Sequence, residues 1–221
     1  MRASTASGAR AANENGAPRS IWGAPRGAAG LAALALMACE NQGQNRAALD
    51  ALDLKRGDVV LDVGCGPGAG MCAALKRVGR EGFVAGVDRS GCAVHVAAHV
   101  AHYAILRGRA AVMRAEAASL PFRDLMFDKA FAVNSFQFWP EPSRALREIA
   151  RVLAPGGRLV IAQRASREDR PTDFAGAARG MERITQATAL LKAQGWRIID
   201  ERCVADGPHA LAACVAAIRP A

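Results

Sequence analysis

Short apolar runs and longer amphipathic stretches alternate along this chain. Val59–Val63 (VVLDV) is an apolar run that carries one acid, and a glycine-rich stretch, GCGPGAG, follows it at once. An apolar run that ends in glycines predicts a buried parallel strand followed by a tight turn. Residues 71–78 suit a helix, so the turn opens onto a helix N-terminus with free N–H groups.

The same alternation predicts the remaining elements of an α/β domain. Further strands are predicted at residues 82–87, 110–115, 127–133, 158–162, 196–204 and 210–218. Helices are predicted at residues 30–39, 45–52, 91–106, 142–153 and 181–194. The glycine- and proline-rich residues 154–157 and 206–208 predict turns. Residues 163–178 lose periodicity and mix arginine with acids, which favours a mobile loop.

The glycine-rich turn is a candidate binding loop. Gly64, Gly66 and Ala69 satisfy the dinucleotide fingerprint G-x-G-x-x-G/A, in which glycines let the backbone approach a ligand closely. Asp88 ends the second predicted strand, about 20 residues further on, where a carboxylate can accept hydrogen bonds from both ribose hydroxyls. Nicotinamide enzymes share this spacing. The loop and Asp88 therefore predict a ribose-bearing ligand without choosing the cofactor.

Asp62, two residues before the first glycine, narrows the choice. The pattern apolar, acid, apolar, Gly, x, Gly, x, Gly resembles motif I of the class I S-adenosylmethionine (SAM) methyltransferases. A strand-end acid suits a cationic sulfonium and amino group, and it would repel a pyrophosphate. SLPF at 119–122, FDKA at 127–130 and LAPGG at 153–157 are similar to later motifs of this family, the last of them typical of its type 11 branch. The resemblance covers roughly residues 45–218.

This resemblance implies a doubly wound, seven-stranded, mostly parallel sheet with an antiparallel last strand, and SAM as the cofactor. The cofactor-binding residues that it implies are Asp62, Gly64, Cys65, Gly66, Gly68, Asp88, Arg89, Glu116, Ala117 and Asn134. Glu116 stands where the family usually has Asp, which accepts from the adenine amino group. The aromatic candidates for the substrate cleft are Phe136, Phe138 and Trp139, because rings near a sulfonium add cation–π attraction, and Trp22, which is free to cover the acceptor side of the cleft. No general base is identified.

The resemblance further implies methyl transfer to a small organic acceptor. Methylation of a base amino group in nucleic acid normally needs an Asn-Pro-Pro-Tyr-like set after the fourth strand, and this chain has NSFQ at 134–137. Aromatic residues make up only 5% of the chain, which argues against stacking platforms for single strands. A nucleic-acid methyltransferase, a nicotinamide oxidoreductase and a SAM-binding protein without catalytic activity remain alternatives.

Composition and charge change this interpretation little. The net charge of +9 permits binding to nucleic acid or anionic surfaces, but the arginines are spread from Arg2 to Arg219. The six cysteines form no C-x-x-C pair, which predicts reduced thiols in a cytoplasmic protein. His95, His99 and His102 share one stripe of a predicted helix. We expect that stripe to face solvent, with a metal site as the less favoured alternative.

The N-terminal region is predicted separately. Residues 1–20 are rich in Ala, Gly, Ser and Arg, and we expect disorder there, with a transit peptide or an over-long start as alternatives. Residues 21–54 are predicted to form helices that cover the cleft of a domain at 55–221. The segment LMAC at 36–39 mimics a lipoprotein cleavage box. A helix that packs against the domain is favoured over lipidation, and the apolar stretch is too short to span a bilayer.

Overall fold

A seven-stranded sheet forms the centre of the computed structural model, which describes residues 27–165, 179–206 and 210–220. The strands are β1 (Val59–Val63), β2 (Phe83–Asp88), β3 (Ala110–Arg114), β4 (Phe127–Val133), β5 (Leu153–Ala165), β6 (Arg197–Asp206) and β7 (Ala210–Ile218). The helices are α1 (Gly27–Glu40), α2 (Gln42–Leu52), α3 (Ala69–Val78), α4 (Gly91–Val100), α5 (His102–Leu106), α6 (Pro142–Val152) and α7 (Gly180–Ala193). A 3-10 turn, Phe136–Phe138, follows β4.

The strand order across the sheet is β3-β2-β1-β4-β5-β7-β6. Strands β1 to β5 are parallel, and β7 is antiparallel to both of its neighbours, β5 and β6. This arrangement confirms the predicted doubly wound sheet. The carboxyl ends of the five parallel strands lie along one edge, the edge where such sheets bind ligands.

Helices cover both faces of the sheet, which explains why its strands are apolar on both sides. One face packs against α2, α3 and α4, and its core includes Leu49, Leu52 and Phe131. The other face packs against α6 and α7, and its core includes Ile149 and Ile184. All five of these side chains are fully buried. Because α2 supplies two of them, this N-terminal helix is part of the core and more than a cover over the cleft.

Strand β5 begins earlier and ends later than the sequence predicts. Leu153 pairs with Phe127, the register then shifts, and Arg158 pairs with Lys129. The predicted turn at 154–157 is therefore present as an irregularity within the strand, with Gly156 at φ +74°. At the other end, pairing with β7 continues to Ala165. The residues just after 162, which were expected to begin a loop, belong to the sheet.

The helix expected at residues 91–106 is two helices that meet at Ala101. His95, His99 and His102 are exposed, as expected. Within the ranges given above, no cluster of three or more His, Cys, Asp or Glu side chains has the arrangement of a metal site.

The N-terminal helix α1 begins at Gly27 and packs its Leu34 side chain inward. The described part of the chain contains no helix long and apolar enough to cross a membrane. Three predictions lie outside the described residues: disorder at 1–20, the loop after Ala165 and the turn centred on residue 207. Trp22 lies outside them as well.

Candidate functional site

A cleft of about 440 Å³ lies at the carboxyl ends of the parallel strands. Its walls divide along the strand order into two parts. The β1–β3 half consists of the residues that end or follow β1, β2 and β3, namely Asp62, Gly64, Cys65, Gly66, Asp88, Arg89, Glu116 and Ala117. The β4–β5 half comes from β4, β5, α7 and the α1–α2 connection, and it includes Glu40, Asn41, Asn134, Gln137, Trp139, Arg164 and Arg183.

The glycine loop is tied to β2 at its start. The N–H groups of Gly64 and Cys65 both donate to the carbonyl oxygen of Val87, at 2.8 and 3.0 Å. Gly64 has φ +82°, and a Cβ there would lie 2.4 Å from the Cβ of Ser135. Ser135 is itself fixed, because its hydroxyl donates to the carbonyl of Val63 at 2.7 Å. Glycine at 64 is therefore required by packing beneath the loop.

Gly66 lies at the tip of this loop and lines the cleft. Its φ is +52°, and a Cβ built on it would meet no atom within 4 Å. The loop therefore leaves open space at this point, which a side chain would fill and a ligand can occupy. Gly68 differs. It does not line the cleft, and a Cβ there would lie 3.1 Å from the Cα of Ala97, so this glycine permits the close approach of α3 and α4.

Asp88 anchors the loop tip from the end of β2. Its two carboxylate oxygens accept hydrogen bonds from the N–H groups of Ser90 and Gly66, at 2.8 and 2.9 Å. Burial raises the pKa of Asp88, and these two hydrogen bonds oppose that increase. Each carboxylate oxygen has a second lone pair. Asp88 can therefore hold the loop and still accept hydrogen bonds from a ligand's hydroxyl groups.

Asp62 is the most deeply buried carboxylate of the cleft, with 3% of its surface exposed. Burial, and then repulsion from Asp88, raise the pKa of Asp62 well above its ordinary value, and the N–H of Met71 opposes the increase by donating to it. A Cβ on Gly70 would lie 2.9 Å from Asp62 Oδ2 and 3.1 Å from Asn45 Oδ1, so both oxygens lie close to the first turn of α3. A cationic ligand group would stabilise the ionised form of such a buried carboxylate.

Cys65 and Arg89 complete the described wall beside these acids. Burial, reinforced by Asp62 and Asp88, raises the pKa of the Cys65 thiol well above its ordinary value. Arg89 connects the segment after β3 to the turn after β4: its Nε lies 3.6 Å from Glu116 Oε1, and its Nη1 donates to the Phe138 carbonyl at 3.3 Å.

Beyond Arg89, at the β3 edge of the cleft, Glu116 is half-exposed and Ala117 is buried. The β1–β3 half therefore brings together every predicted cofactor residue except Gly68 and Asn134.

The aromatic candidates separate into two groups. Phe138 and Trp139 line the cleft. Phe136 does not; it is 3% exposed and belongs to the core on the α6 and α7 face. The assignment of Phe136 to the substrate cleft is therefore corrected: its side chain packs into the core, and Trp139, one 3-10 turn later on the same side, lies above it at the cleft. Their rings meet edge to face with centroids 5.3 Å apart, so Phe136 supports Trp139 from below.

Asn134 holds the β4–β5 half together. Its φ is +51°, in the left-handed region that asparagine tolerates better than most residues. Its Nδ2 donates to Asn41 Oδ1 at 3.0 Å, and its Oδ1 accepts from the N–H of Arg164 at 2.6 Å. The Asn134 side chain, which was expected to contact the cofactor, thus links the α1–α2 connection to β5.

The ion pair of Arg164 and Glu40 reinforces the same connection. Arg164 donates from Nη1 to Glu40 Oε2 at 2.8 Å and from Nη2 to the Glu40 carbonyl at 2.9 Å. Both side chains are more than two-thirds buried. Arg183, on the first turn of α7, lines the cleft nearby.

Sequence reasoning missed several residues of this half: Glu40, Asn41, Gln137, Arg164 and Arg183. One signal was available for Arg164, since a fifth strand extended by three residues would have placed it at the ligand-binding edge. No histidine is among the described residues that line the cleft.

Comparison with known proteins identifies the family. The type 11 methyltransferase domain matches residues 61–161, which run from β1 to β5. Methyltransferase GfsG from Streptomyces halstedii is 33% identical over 158 residues, covering 67% of this chain and 56% of its own length. The uncharacterized methyltransferase YdaC of Bacillus subtilis is 29% identical over 84% of this chain and 97% of its own length. The chain thus spans about half of the first relative and nearly all of the second.

Solved structures share the fold. A SAM-dependent methyltransferase from Aquifex aeolicus superposes with a TM-score of 0.71 at 23% identity, over 85% of this chain and 97% of the other. The [4+2]-cyclase SpnF superposes with a TM-score of 0.63 at 25% identity, over 88% of this chain and 84% of the other. The glycine loop, Asp62 and Asp88 lie at the carboxyl edge of the matching sheet, and residues 61–161 form a class I SAM-dependent methyltransferase domain of the type 11 branch, with SAM as its cofactor.

Proposed function

We propose that this protein transfers the methyl group of SAM to a hydroxyl group of a small organic acceptor. The observation that carries the proposal is that the cleft continues from the β1–β3 half into a second, differently built half, lined by Gln137, Phe138 and Trp139. Relatives support the choice of oxygen. A 27-O-demethylrifamycin SV methyltransferase from Amycolatopsis mediterranei is 36% identical over 110 residues, covering 50% of this chain and 40% of its own length.

The β1–β3 half fits the cofactor. Open space above Gly66 admits it, Asp88 has lone pairs for the ribose hydroxyls, and Asp62 is a buried carboxylate that gains from a cationic amino group. Glu116, at the end of the cleft nearest β3, is the residue for the adenine amino group. When bound, SAM would supply an electrophilic methyl carbon: the O–CH3 bond would form as the S–CH3 bond breaks with its electron pair left on sulfur, and the hydroxyl proton would pass to water.

The rest of the cleft positions the acceptor and limits the access of water. Leu34 and Met37 of α1 form an apolar cover on one side, and Phe138 and Trp139 line the cleft from the turn after β4. The hydrogen bonds of Asn134 fix that cover to β5. Holding an acceptor oxygen close to the methyl carbon is the main demand of this reaction. We further propose that the acceptor is a small molecule and that the protein is cytoplasmic.

Two experiments test this function in sequence. Calorimetric titration with S-adenosylhomocysteine (SAH), with NADH as the matched control, tests the cofactor site, and we expect binding of SAH alone. Incubation with methyl-labelled SAM and a set of phenols, alcohols and amines then tests transfer. Label in the phenol or alcohol products is the expected result. Transfer to amines alone would contradict the choice of oxygen.

One observation favours a second candidate, a SAM-binding protein whose reaction is not methylation. The structure named a [4+2]-cyclase shares this fold at 25% identity. The same labelled incubation separates the two functions, because a protein of the second kind would bind SAH and label no acceptor.

A further inference from the structure

The side-chain amide of Gln137 is only partly hydrogen-bonded. Its Nε2 donates to the Asn134 carbonyl at 2.9 Å, which fixes the orientation of the amide. Its Oε1 is buried and has no hydrogen-bond partner among the described residues. A buried carbonyl oxygen without a partner is costly, and the cost is removed when a ligand donates to it. Because Gln137 lines the cleft, the ligand that can reach this oxygen is one bound there.

The turn that carries Gln137 is bonded to the β1–β3 half on both sides of that residue. Before Gln137, the Ser135 hydroxyl donates to the Val63 carbonyl at the end of β1, at 2.7 Å. After it, the Phe138 carbonyl accepts from Arg89 Nη1 at 3.3 Å. The backbone of Gln137 is therefore held in place next to the half that fits the cofactor. A group that orients a reacting molecule needs such a fixed position.

The chemistry of an amide oxygen decides which ligand group suits this position. The oxygen accepts hydrogen bonds and donates none. A neutral hydroxyl group can therefore donate to Gln137 Oε1, whereas a methoxy group has no proton to donate and an oxyanion is repelled. A hydroxyl group held in this way has its lone pairs fixed in direction, which favours in-line attack on a methyl carbon. Phe138 and Trp139 line the cleft beside Gln137 and offer ring surface to the rest of such a molecule.

We infer that Gln137 is a positioning residue for the methyl acceptor, and that its Oε1 accepts a hydrogen bond from the hydroxyl group that is methylated. This inference rests on the proposed function and names its substrate class, a hydroxy compound bound in its neutral form. It also gives the product a reason to leave. Methylation replaces the donating O–H with a methoxy group, so the hydrogen bond to Gln137 is lost and the cleft binds the product less tightly than the acceptor.

Two matched ligands, 4-nitrophenol and its methyl ether 4-nitroanisole, test this hydrogen bond. Each is titrated into the wild-type protein saturated with SAH, at a pH below the pKa of 4-nitrophenol. We expect the phenol to bind about tenfold more tightly than the ether, the ratio for a hydrogen bond to a buried oxygen that otherwise has no partner. Equal binding of the two ligands, tighter binding of the ether or no binding of either would overturn the inference.

Two glutamine variants assign the preference to one side chain. Gln137→Met keeps the length of the side chain and removes its amide, so it should abolish the preference for the phenol. Gln194→Met is the matched control, because the Gln194 Nε2 also donates to a backbone carbonyl, that of Ser143 at 2.8 Å, and this residue lies outside the cleft. The control should keep the preference. If Gln137 had only a structural role, Gln137→Met would weaken both ligands alike and the preference would survive.

The absorbance of 4-nitrophenol gives a second readout, because only the ionised phenol is yellow. In the SAH complex, the pKa of the bound phenol should be about one unit lower in Gln137→Met than in the wild type, since a tenfold preference for the protonated form equals one unit. An equal or higher pKa in the variant would contradict the inference. The charged side chains of the β4–β5 half are the same in both proteins, so the comparison isolates residue 137; they are Glu40, Arg164 and Arg183.

The outcomes separate this inference from the proposed function. Failure of the wild-type protein to bind SAH would contradict the cofactor site. SAH binding without methylation of any acceptor would contradict the proposed reaction. Methylation of hydroxyl groups by a wild-type protein that binds 4-nitrophenol and 4-nitroanisole equally, or by Gln137→Met with undiminished kcat/KM, would overturn the role of Gln137 alone.

Discussion

The two halves of the cleft are built in different ways. In the β1–β3 half, each functional residue ends or directly follows a strand, and backbone N–H groups hold the carboxylates of Asp62 and Asp88 in place. In the β4–β5 half, side chains bond to one another across distant segments: the Asn134 amide donates to the Asn41 side chain, and the Arg164 guanidinium donates to the Glu40 carboxylate. The first construction depends on the fold alone. The second can change with a few substitutions, which suits the part of a methyltransferase that selects its acceptor.

The largest expected effect comes from filling the β1–β3 half. Gly66→Val should abolish SAH binding in a calorimetric titration, because its side chain would occupy the open space above the loop. Circular dichroism should show a folded protein. Gly108→Val is the matched control, since Gly108 also has a positive φ, +68°, and open surroundings, but lies outside the cleft. Normal SAH binding by Gly66→Val would mean that this loop does not hold the cofactor.

Removing the anchor of that loop should have the next largest effect. Asp88→Ala deletes the acceptor of the Gly66 N–H as well as the proposed ribose contact. We expect SAH affinity to fall by one to two orders of magnitude, roughly 1.5–3 kcal/mol. Asp88→Asn keeps one acceptor oxygen and should lose less. An unchanged dissociation constant for Asp88→Ala would remove this residue from the ribose site.

Asp62 should show opposite effects on stability and binding. The raised pKa means that the folded state holds the Asp62 proton above pH 3.8, where the unfolded state releases it. This group therefore weakens the unliganded fold progressively as pH rises from 3.8 through the raised value. Asp62→Asn should raise the free energy of unfolding in urea, more at about pH 8 than at about pH 5, and should weaken SAH binding. Lower stability of the variant at both pH values would contradict this account.

The smallest effect is expected at the ion pair of the β4–β5 half. Glu40→Gln removes the carboxylate that Arg164 contacts and should lower the free energy of unfolding by about 1 kcal/mol. SAH affinity should stay within about twofold of wild type, a change of less than 0.5 kcal/mol. Glu81→Gln, an exposed acid before β2, controls for the change of charge. A large loss of SAH affinity in Glu40→Gln would show that the two halves are not separate in function.

The accuracy of prediction from the sequence also differs between the two halves of the cleft. Apolar periodicity and glycines place β1 to β4 within one residue at each end, and motif spacing brings Gly66, Asp88 and Glu116 together, because each depends only on its own strand end. Asn134 was chosen by the same rule, yet its amide is used by Asn41 and Arg164. Such contacts join segments that are distant in the sequence, so the local sequence pattern does not predict them.

The errors in the β4–β5 half have a similar cause. Gln163 and Arg164 interrupt the apolar run, so the strand was expected to end at residue 162, although pairing with β7 continues. Phe136 was assigned to the cleft with its neighbours because the sequence does not reveal that a 3-10 turn directs it into the core. Arg183 follows a segment of low periodicity, and only the packing of α7 on β5 brings it to the cleft.

A crystal structure with SAH tests the division of the cleft most directly. The account predicts that the ribose hydroxyls donate to the Asp88 carboxylate, that the amino group lies beside Asp62, and that the space bordered by Gln137, Trp139 and Arg183 stays open for the acceptor. SAH bound with its ribose away from Asp88, or with its amino acid end against Arg183, would contradict the separation of a cofactor half from an acceptor half.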